Sequence, residues 1–186
     1  DVQAPLIETR ALKKYFPVGD HSQLHAVDGI NLKIYPGETL GVVGESGCGK
    51  STLGRTILRL QEPTDGQILY DGKDITKYNR RQMKQMRQNM QLIFQDPYAS
   101  LDPRKSVVEI IAEYMIINRT YPSKKEIYNY AAHLMDIVGL ARRYANAYPH
   151  ELDGGRRQRI GIARALSLHP KFIVCDEPVS ALDVSI

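Results

Sequence analysis

The sequence has few cysteines, no long apolar run and no signal-peptide pattern, and each absence excludes a class of protein. Its two cysteines, Cys48 and Cys175, lack the spacing of metal ligands. This excludes a disulfide-stapled fold, and we expect both thiols to be reduced and packed. No stretch approaches the roughly 20 apolar residues that span a bilayer, and residues 1–10 lack a charged-then-apolar leader. We therefore expect a cytosolic protein that is able to dock on a membrane protein.

The chain also lacks a strong excess of charge. Its 25 Lys and Arg residues against 21 Asp and Glu residues give a formal net charge of +4. The one basic run, Arg80 to Arg87, is interpreted as a solvated helix face, so no nucleic-acid stripe or polybasic anchor is predicted. With 186 residues, 42% of them hydrophobic, the chain is predicted to form one globular domain with room for an inserted lobe.

The first half of the chain has the periodicity of strands followed by a helix. Residues 6–12 and 24–35 are predicted strands, and the apolar run TLGVVG, residues 39–44, is typical of a buried strand. Residues 50–61 place apolar side chains on one helical face. Asp71 and Gly72 between extended flanks predict a hairpin.

The second half is predicted to be helical between two short strands. Residues 90–95 and 171–176 form apolar strand-like runs. Between them, the pairs Ser106 with Glu109 and Ser123 with Glu126 have the spacing of capping boxes. They predict a helical lobe over about residues 100–150, whose second helix ends at Gly139.

The segment GESGCGKST fits the phosphate-binding pattern G-x-x-x-x-G-K-[ST] from Gly44 to Ser51. Glycines at these positions allow backbone N–H groups to turn towards phosphate oxygens. Lys50 is predicted to reach the β and γ phosphates, and Ser51 to ligate Mg²⁺. The candidate nucleotide-binding residues of this loop are Gly44, Glu45, Ser46, Gly47, Cys48, Gly49, Lys50, Ser51 and Thr52.

Two adjacent acids follow the last predicted strand. Asp176, at the end of FIVCD, is placed to hold Mg²⁺, and Glu177 is the candidate general base for the attacking water. Alone, an Asp-Glu pair after an apolar run is usually a solvated strand end. Together with the glycine loop it indicates a nucleotide hydrolase.

Four segments carry a resemblance to a known family: GESGCGKST, FQDPYASLDPR, LDGGRRQRIGIARAL and FIVCDEPVSALD. Their order and spacing resemble those in the ATP-binding subunits of ABC transporters. Their residue sequences are similar to those of the oligopeptide and dipeptide branch, which includes nickel importers. The resemblance implies an α/β P-loop NTPase of ABC type, with a RecA-like core, an N-terminal antiparallel β region and an inserted helical subdomain. It implies an ABC ATP-binding domain over residues 1–186, C-terminally incomplete, with the helical subdomain at residues 96–152.

The resemblance implies roles for further residues. Gln95 matches the glutamine that contacts Mg²⁺ and the attacking water, although it is also a plain strand-end glutamine. Residues 180–183, SALD, match the loop that crosses the dimer interface. An N-terminal aromatic stacks on adenine in this family, and both Phe16 and Tyr15 stay candidates for that position.

One segment departs from the family pattern. The ABC signature, usually Leu-Ser-Gly-Gly-Gln, closes over the γ-phosphate bound by the other subunit. Here Asp153 and Arg156 replace the serine and the glutamine, while Gly154 and Gly155 are kept. As a helix N-cap, aspartate is equivalent to serine. Beside a phosphate, however, two unit charges about 4 Å apart repel by roughly 4 kcal/mol at an effective dielectric near 20. We therefore expect poor closure unless Arg156 or Arg157 turns to the phosphate or Asp153 is protonated, and we expect an asymmetric heterodimer.

The implied function is ATP hydrolysis with Mg²⁺ that powers import of oligopeptides or dipeptides. The implied partners are two transmembrane permease subunits, a second ATP-binding subunit and, indirectly, an extracytoplasmic solute-binding protein, without nucleic acid. This places the chain at the cytoplasmic face of the membrane. The alternative is a soluble ABC-type ATPase that is not coupled to transport. A GTPase is disfavoured because no Asn-Lys-x-Asp motif occurs.

The family's switch histidine lies beyond the segment SALD, on a further strand. None of the five histidines is at that position, and each is interpreted as a surface or packing residue: His21, His25, His133, His150 and His169. The chain is therefore expected to be a fragment of a longer protein.

Overall fold

The chain divides after Arg87 into two units, residues 1–87 and 88–186. The computed structural model describes residues 3–45, 47, 49–93 and 98–176. The first unit contains an antiparallel sheet and two helices, and the second contains a parallel strand pair with three helices. The predicted boundaries of the helical subdomain, 96–152, stay a prediction.

The first unit is built on a four-stranded antiparallel sheet of order β2-β1-β3-β4. The two long strands are the ones that alternation predicts in the N-terminal region. The hairpin predicted at Asp71 and Gly72 is confirmed, because these residues connect β3 to β4. The four strands are β1 (Ile7–Val18), β2 (Ser22–Ile34), β3 (Asp65–Tyr70) and β4 (Lys73–Asp74).

Strand β1 contains a bulge at Ala11. Its pairing with β2 slips by one residue between Thr9 and Leu12, and its pairing with β3 slips between Arg10 and Lys13. Ala11 has a φ of 46°, and its carbonyl oxygen lies 2.4 Å from the position a Cβ of Gly66 would take. Only glycine fits opposite this bulge without a displacement of the backbone.

The prediction of a buried strand at residues 39–44 is wrong. The segment has no strand pairing among the described residues, and Leu40, Val42 and Val43 are 44%, 51% and 93% exposed. An apolar run becomes a strand only where a neighbouring strand completes its hydrogen bonds. No such neighbour is found for this run in the described part of its unit.

The first helix is shorter than predicted. Helix α1 (Lys50–Ile57) stops four residues before Gln61, and Leu60 is 47% exposed rather than part of a buried face. The chain turns because Arg59 adopts a left-handed backbone with its side chain buried, where its guanidinium donates to the Ile75 carbonyl at 2.6 Å. That anchor ends the helix.

The basic run forms a second helix, α2 (Arg80–Met86), whose one buried residue is Met83. The interpretation of this run as a solvated helix face is therefore confirmed. The helix begins at a capping box that our sequence analysis missed, in which the Asn79 side chain accepts from the Gln82 N–H at 3.0 Å.

In the second unit, β5 (Met90–Ile93) and β6 (Phe172–Cys175) pair in parallel, and three helices lie between them in sequence. The helices α3 (Val107–Asn118), α4 (Lys124–Ile137) and α5 (Gly154–Leu166) bury a shared apolar core. The fully buried side chains of that core include Ile110, Ile111, Met115, Leu134, Met135, Leu140 and Ile160.

The predicted helix signals in this unit are confirmed. The Ser106 N–H donates to Glu109 at 2.7 Å, and Ser123 forms the reciprocal pair with Glu126, so both capping boxes start helices. Helix α4 ends just before Gly139. The predicted packing of Cys175 is wrong, because this last residue of β6 is exposed. Cys48 lies outside the described residues.

Candidate functional site

The glycine loop of the first unit leads directly into α1. The Lys50 ammonium donates to the backbone carbonyls of Gly44 and Glu45, at 2.5 and 2.7 Å. Lys50 is thus folded back over the start of its own loop and held by carbonyl dipoles. Gly47 adopts a positive φ of 78°. Ser46 and Cys48 lie outside the described residues.

Gly49 is fixed by two constraints. Its φ is 95°, and a Cβ there would lie 2.1 Å from the carbonyl oxygen of Ala26 in β2. It is also the N-cap of α1, in the left-handed conformation. The turn at Gly49 leads the glycine loop directly into the N-terminus of α1, the positive end of the helix dipole, which is the kind of place that favours an anion.

These features fit a phosphate group. Backbone N–H donors, the positive end of the helix dipole and the Lys50 ammonium together attract negatively charged oxygens. Ser51 and Thr52 follow Lys50 in the first turn of α1, and a Ser51 hydroxyl is a hard oxygen donor of the kind Mg²⁺ prefers. The arrangement can hold a polyphosphate and its cation.

The two candidate aromatics point to opposite faces of β1. The Tyr15 ring stacks on His25 with centroids 3.8 Å apart, and its hydroxyl donates to Asp28. That hydrogen bond to the carboxylate raises the pKa of Tyr15. Phe16 is half-buried, with the Lys14 ammonium 5.0 Å from its ring centroid. The Tyr15 ring is therefore already engaged within its own unit.

In the second unit, Asp176 lies where β6 ends. It is 8% exposed, and its N–H donates to the Ile93 carbonyl at 3.0 Å, which continues the parallel pairing by one residue. An aspartate at the carboxyl end of a strand fits a cation ligand. Gln95, Glu177 and residues 180–183 lie outside the described residues.

The signature segment opens helix α5. Asp153 is the N-cap, and its carboxylate accepts from the Arg156 N–H at 2.8 Å, so the expected capping role is confirmed. The Arg156 guanidinium also donates to Asp153, at 2.6 Å. Arg157 donates to the Leu152 carbonyl at 2.6 Å. The carboxylate that replaces the signature serine therefore has its own counter-ion, and Arg156 faces that carboxylate.

An aromatic ring supports this pair, and our sequence analysis missed it. The Arg156 and Arg143 guanidinium groups lie 4.9 and 5.0 Å from the centroid of the Tyr144 ring. A hydrogen bond from Arg143 lowers the pKa of Tyr144. Cation–π contacts of this kind fix a guanidinium in place. No local sequence pattern marks Tyr144, because it reaches Arg156 across a loop.

Comparison with known proteins agrees with these features. Residues 27–180 match the family model described as ABC transporter. The chain is 52% identical over 182 residues to the oligopeptide transport ATP-binding protein OppF of Bacillus subtilis (strain 168), covering 97% of this chain and 59% of that protein. It is 45% identical over 190 residues to the dipeptide transport ATP-binding protein DppF of Escherichia coli (strain K12), covering 100% of this chain and 57% of that protein.

A solved structure confirms the fold class. A dimeric ATP-binding cassette bound to ADP and Pi in a post-hydrolysis state matches with a TM-score of 0.88 and 30% identity, over 96% of this chain and 76% of that chain. The predicted α/β fold of the ABC P-loop type is therefore correct. The chain spans less than three-fifths of the length of the two transport proteins. It belongs to the ABC transporter family.

Proposed function

We propose that this chain binds ATP with Mg²⁺ and hydrolyses it to drive import of oligopeptides or dipeptides across a membrane. The observation that supports the proposal is the glycine loop, which leads into the N-terminus of α1, has the Lys50 ammonium beside it, and requires glycine at position 49 because a Cβ there would meet the Ala26 carbonyl oxygen. The peptide cargo is supported by the names of the relatives, which are oligopeptide and dipeptide transport proteins.

Each candidate residue has a separate role in ATP binding or hydrolysis. Lys50 exchanges its carbonyl partners for the β and γ phosphate oxygens, which attract an ammonium more strongly than neutral carbonyls do. Ser51 would ligate Mg²⁺, a cation that would neutralise phosphate charge. Asp176 is the proposed carboxylate ligand for that cation. Glu177 accepts a proton from the attacking water, and Gln95 orients that water. Phe16 stacks on the adenine, because the Tyr15 ring is engaged by His25.

The chain is proposed to act as a peripheral subunit at the cytoplasmic face of the membrane. The structure contains, within its described residues, no helix long and apolar enough to cross a bilayer. Two transmembrane permease subunits would form the pathway, and an extracytoplasmic solute-binding protein would deliver the peptide to them.

The second ATP-binding subunit is proposed to be a different chain. A signature serine donates its hydroxyl to a phosphate oxygen, whereas the Asp153 carboxylate only accepts. The pair with Arg156 offsets the charge of Asp153 but supplies no replacement for that donor. The site completed by Asp153 should therefore turn over slowly, while the site that uses Glu177 and a normal partner signature turns over fast.

Steady-state ATPase activity tests both parts of the proposal. The complete subunit is measured alone and with its partner subunit, each with and without Glu177→Gln. Activity that needs the mixture and falls to a slow residual rate with Glu177→Gln supports the heterodimer. Rapid hydrolysis by the subunit alone, unchanged by Asp153→Ser, contradicts the asymmetric pair. Co-purification with ribosomes or DNA, without permease subunits, would support the alternative of a soluble ABC-type ATPase.

A further inference from the structure

Helix α5 contains a fully buried glutamine, Gln158. Gln158 is 0% exposed, and neither its amide oxygen nor its amide nitrogen has a hydrogen-bond partner among the described residues. A buried amide left in this state is destabilising, and an apolar side chain of the same size would avoid the cost. The glutamine therefore points to a missing polar partner.

A small cavity lies beside this amide. It has a volume of about 10 Å³, the space of one water, and is lined by the end of β5 (Gln91 to Ile93), Ser100, Tyr114 and three α5 residues besides Gln158: Gly161, Arg164 and Ala165. The site is polar, since the Arg164 guanidinium donates to the Ser100 carbonyl at 3.1 Å. One water in this space would lie beside Gln158 and strand β5, because both line the cavity.

Gly161 keeps this space open. A Cβ added there would meet no atom within 4 Å apart from its own helix, and its backbone is not left-handed. Alanine would suit the interior of α5 better than glycine, because glycine is a poor helix former. The missing side chain thus preserves the cavity at the expense of helix stability.

We infer that this cavity binds one water, and that Gln158 is a positioning residue which couples helix α5 to strand β5 through it. The inference rests on the proposed ATPase function. Helix α5 starts at the signature residue Asp153, and Ile93, the end of β5, precedes Gln95 by two positions in the sequence. A water bridge between them keeps the signature helix in register with the strand that leads to the proposed water-orienting glutamine.

Such a bridge affects hydrolysis more than ATP binding. None of the described residues that line the cavity belongs to the glycine loop, so ATP affinity should not depend on the water. The orientation of the attacking water should depend on it, because small displacements of catalytic groups are costly in rate.

The first test is a high-resolution crystal structure of the complete subunit. We expect an ordered water within hydrogen-bond distance of the Gln158 amide. A cavity that is empty, or an amide bonded directly to another side chain, would overturn the inference without any variant being made.

The second test uses Gly161→Ala, which fills the cavity in a better helix former, and Gln158→Met, which removes the amide. Both should fold and keep the KM for ATP while kcat falls roughly tenfold or more. Ile160→Met, buried in the same helix but not lining the cavity, is the matched control and should keep kcat.

The outcomes are separable. If Gly161→Ala folds and retains the wild-type kcat, Gln158 has only a packing role and the inference is wrong. If the wild-type subunit with its partner does not hydrolyse ATP, the proposed function fails, while the crystallographic water still decides the occupancy of the cavity.

Discussion

The ion pair between Asp153 and Arg156 leads to a prediction about closure over ATP. The two side chains meet at 2.6 Å at the start of α5. In the proposed dimer, removal of the arginine would therefore leave the carboxylate without a counter-ion beside the γ-phosphate bound by the partner. We expect Arg156→Gln to slow hydrolysis at the site that this signature completes. Asp153→Ser in the same background should reverse the loss, because Leu-Ser-Gly-Gly-Gln is then restored.

The magnitude follows from the charges. Two unit charges about 4 Å apart repel by roughly 4 kcal/mol at an effective dielectric near 20, and the helix N-terminus offsets about 0.3 to 2 kcal/mol. The remaining ~2 to 4 kcal/mol corresponds to roughly 30- to 1000-fold in rate. Since the Asp153 and Arg156 side chains are 61% and 41% exposed, solvent screening reduces this. We therefore expect a fall of about 10- to 30-fold.

The assay isolates one of the two sites. This subunit carries Glu177→Gln to silence its own site, is assembled with its wild-type partner, and its ATPase rate is measured for four versions of the signature: unchanged, Asp153→Ser, Arg156→Gln, and both together. Arg142→Gln is the matched control, because it removes a similar exposed pair with Asp136, 2.6 Å long, outside the signature.

A double-mutant cycle decides the outcome. If Arg156→Gln lowers the rate equally with aspartate and with serine at position 153, the two side chains act independently and the reasoning is refuted. The same holds if Arg142→Gln produces an equal loss.

Two further predictions concern the glycine loop and an exposed carboxylate. Gly49→Ala should abolish ATP binding, measured by titration calorimetry, because its Cβ would lie 2.1 Å from a backbone oxygen; Gly41→Ala, with no atom within 4 Å, should bind normally. Hydrogen bonds from Arg104 lower the pKa of Asp102 to about 2. The contribution of this pair to the stability of the folded state is therefore fully present above the usual pKa of aspartate. It is lost as the pH falls through about 2. An NMR titration of Asp102 with and without Arg104→Gln checks this, and an unchanged pKa in the variant would contradict it.

Local signals predicted local structure well. The capping boxes at Ser106 and Ser123 start helices because a side chain and a backbone N–H three residues apart satisfy each other without outside help. The turn at Asp71 and the glycine loop at Gly44 are likewise short-range arrangements. Such patterns carry their own hydrogen-bond partners.

Features that depend on distant partners were not predictable. The run at residues 39–44 has strand composition, yet its exposure depends on whether a neighbouring strand pairs with it. Arg156, the counter-ion of Asp153, is only three residues away in the sequence. The ring that packs against its guanidinium belongs to Tyr144, which is more distant in the sequence. The orphan amide of Gln158 becomes visible only when the burial of α5 is known.

The bulge at Ala11 determines which aromatic ring is presented on which face of the sheet. Before it, the buried residues of β1 are Ile7 and Thr9, and after it the buried residue is Leu12. The extra residue thus reverses the in-out alternation between Thr9 and Leu12, and Phe16 is an even number of residues beyond Leu12. Deletion of Ala11 would interchange the faces of the two neighbouring rings. In homologues that lack this residue, we expect the proposed adenine-stacking aromatic to lie one residue earlier or later in the strand. A sequence alignment alone would show this shift as a loss of the aromatic residue.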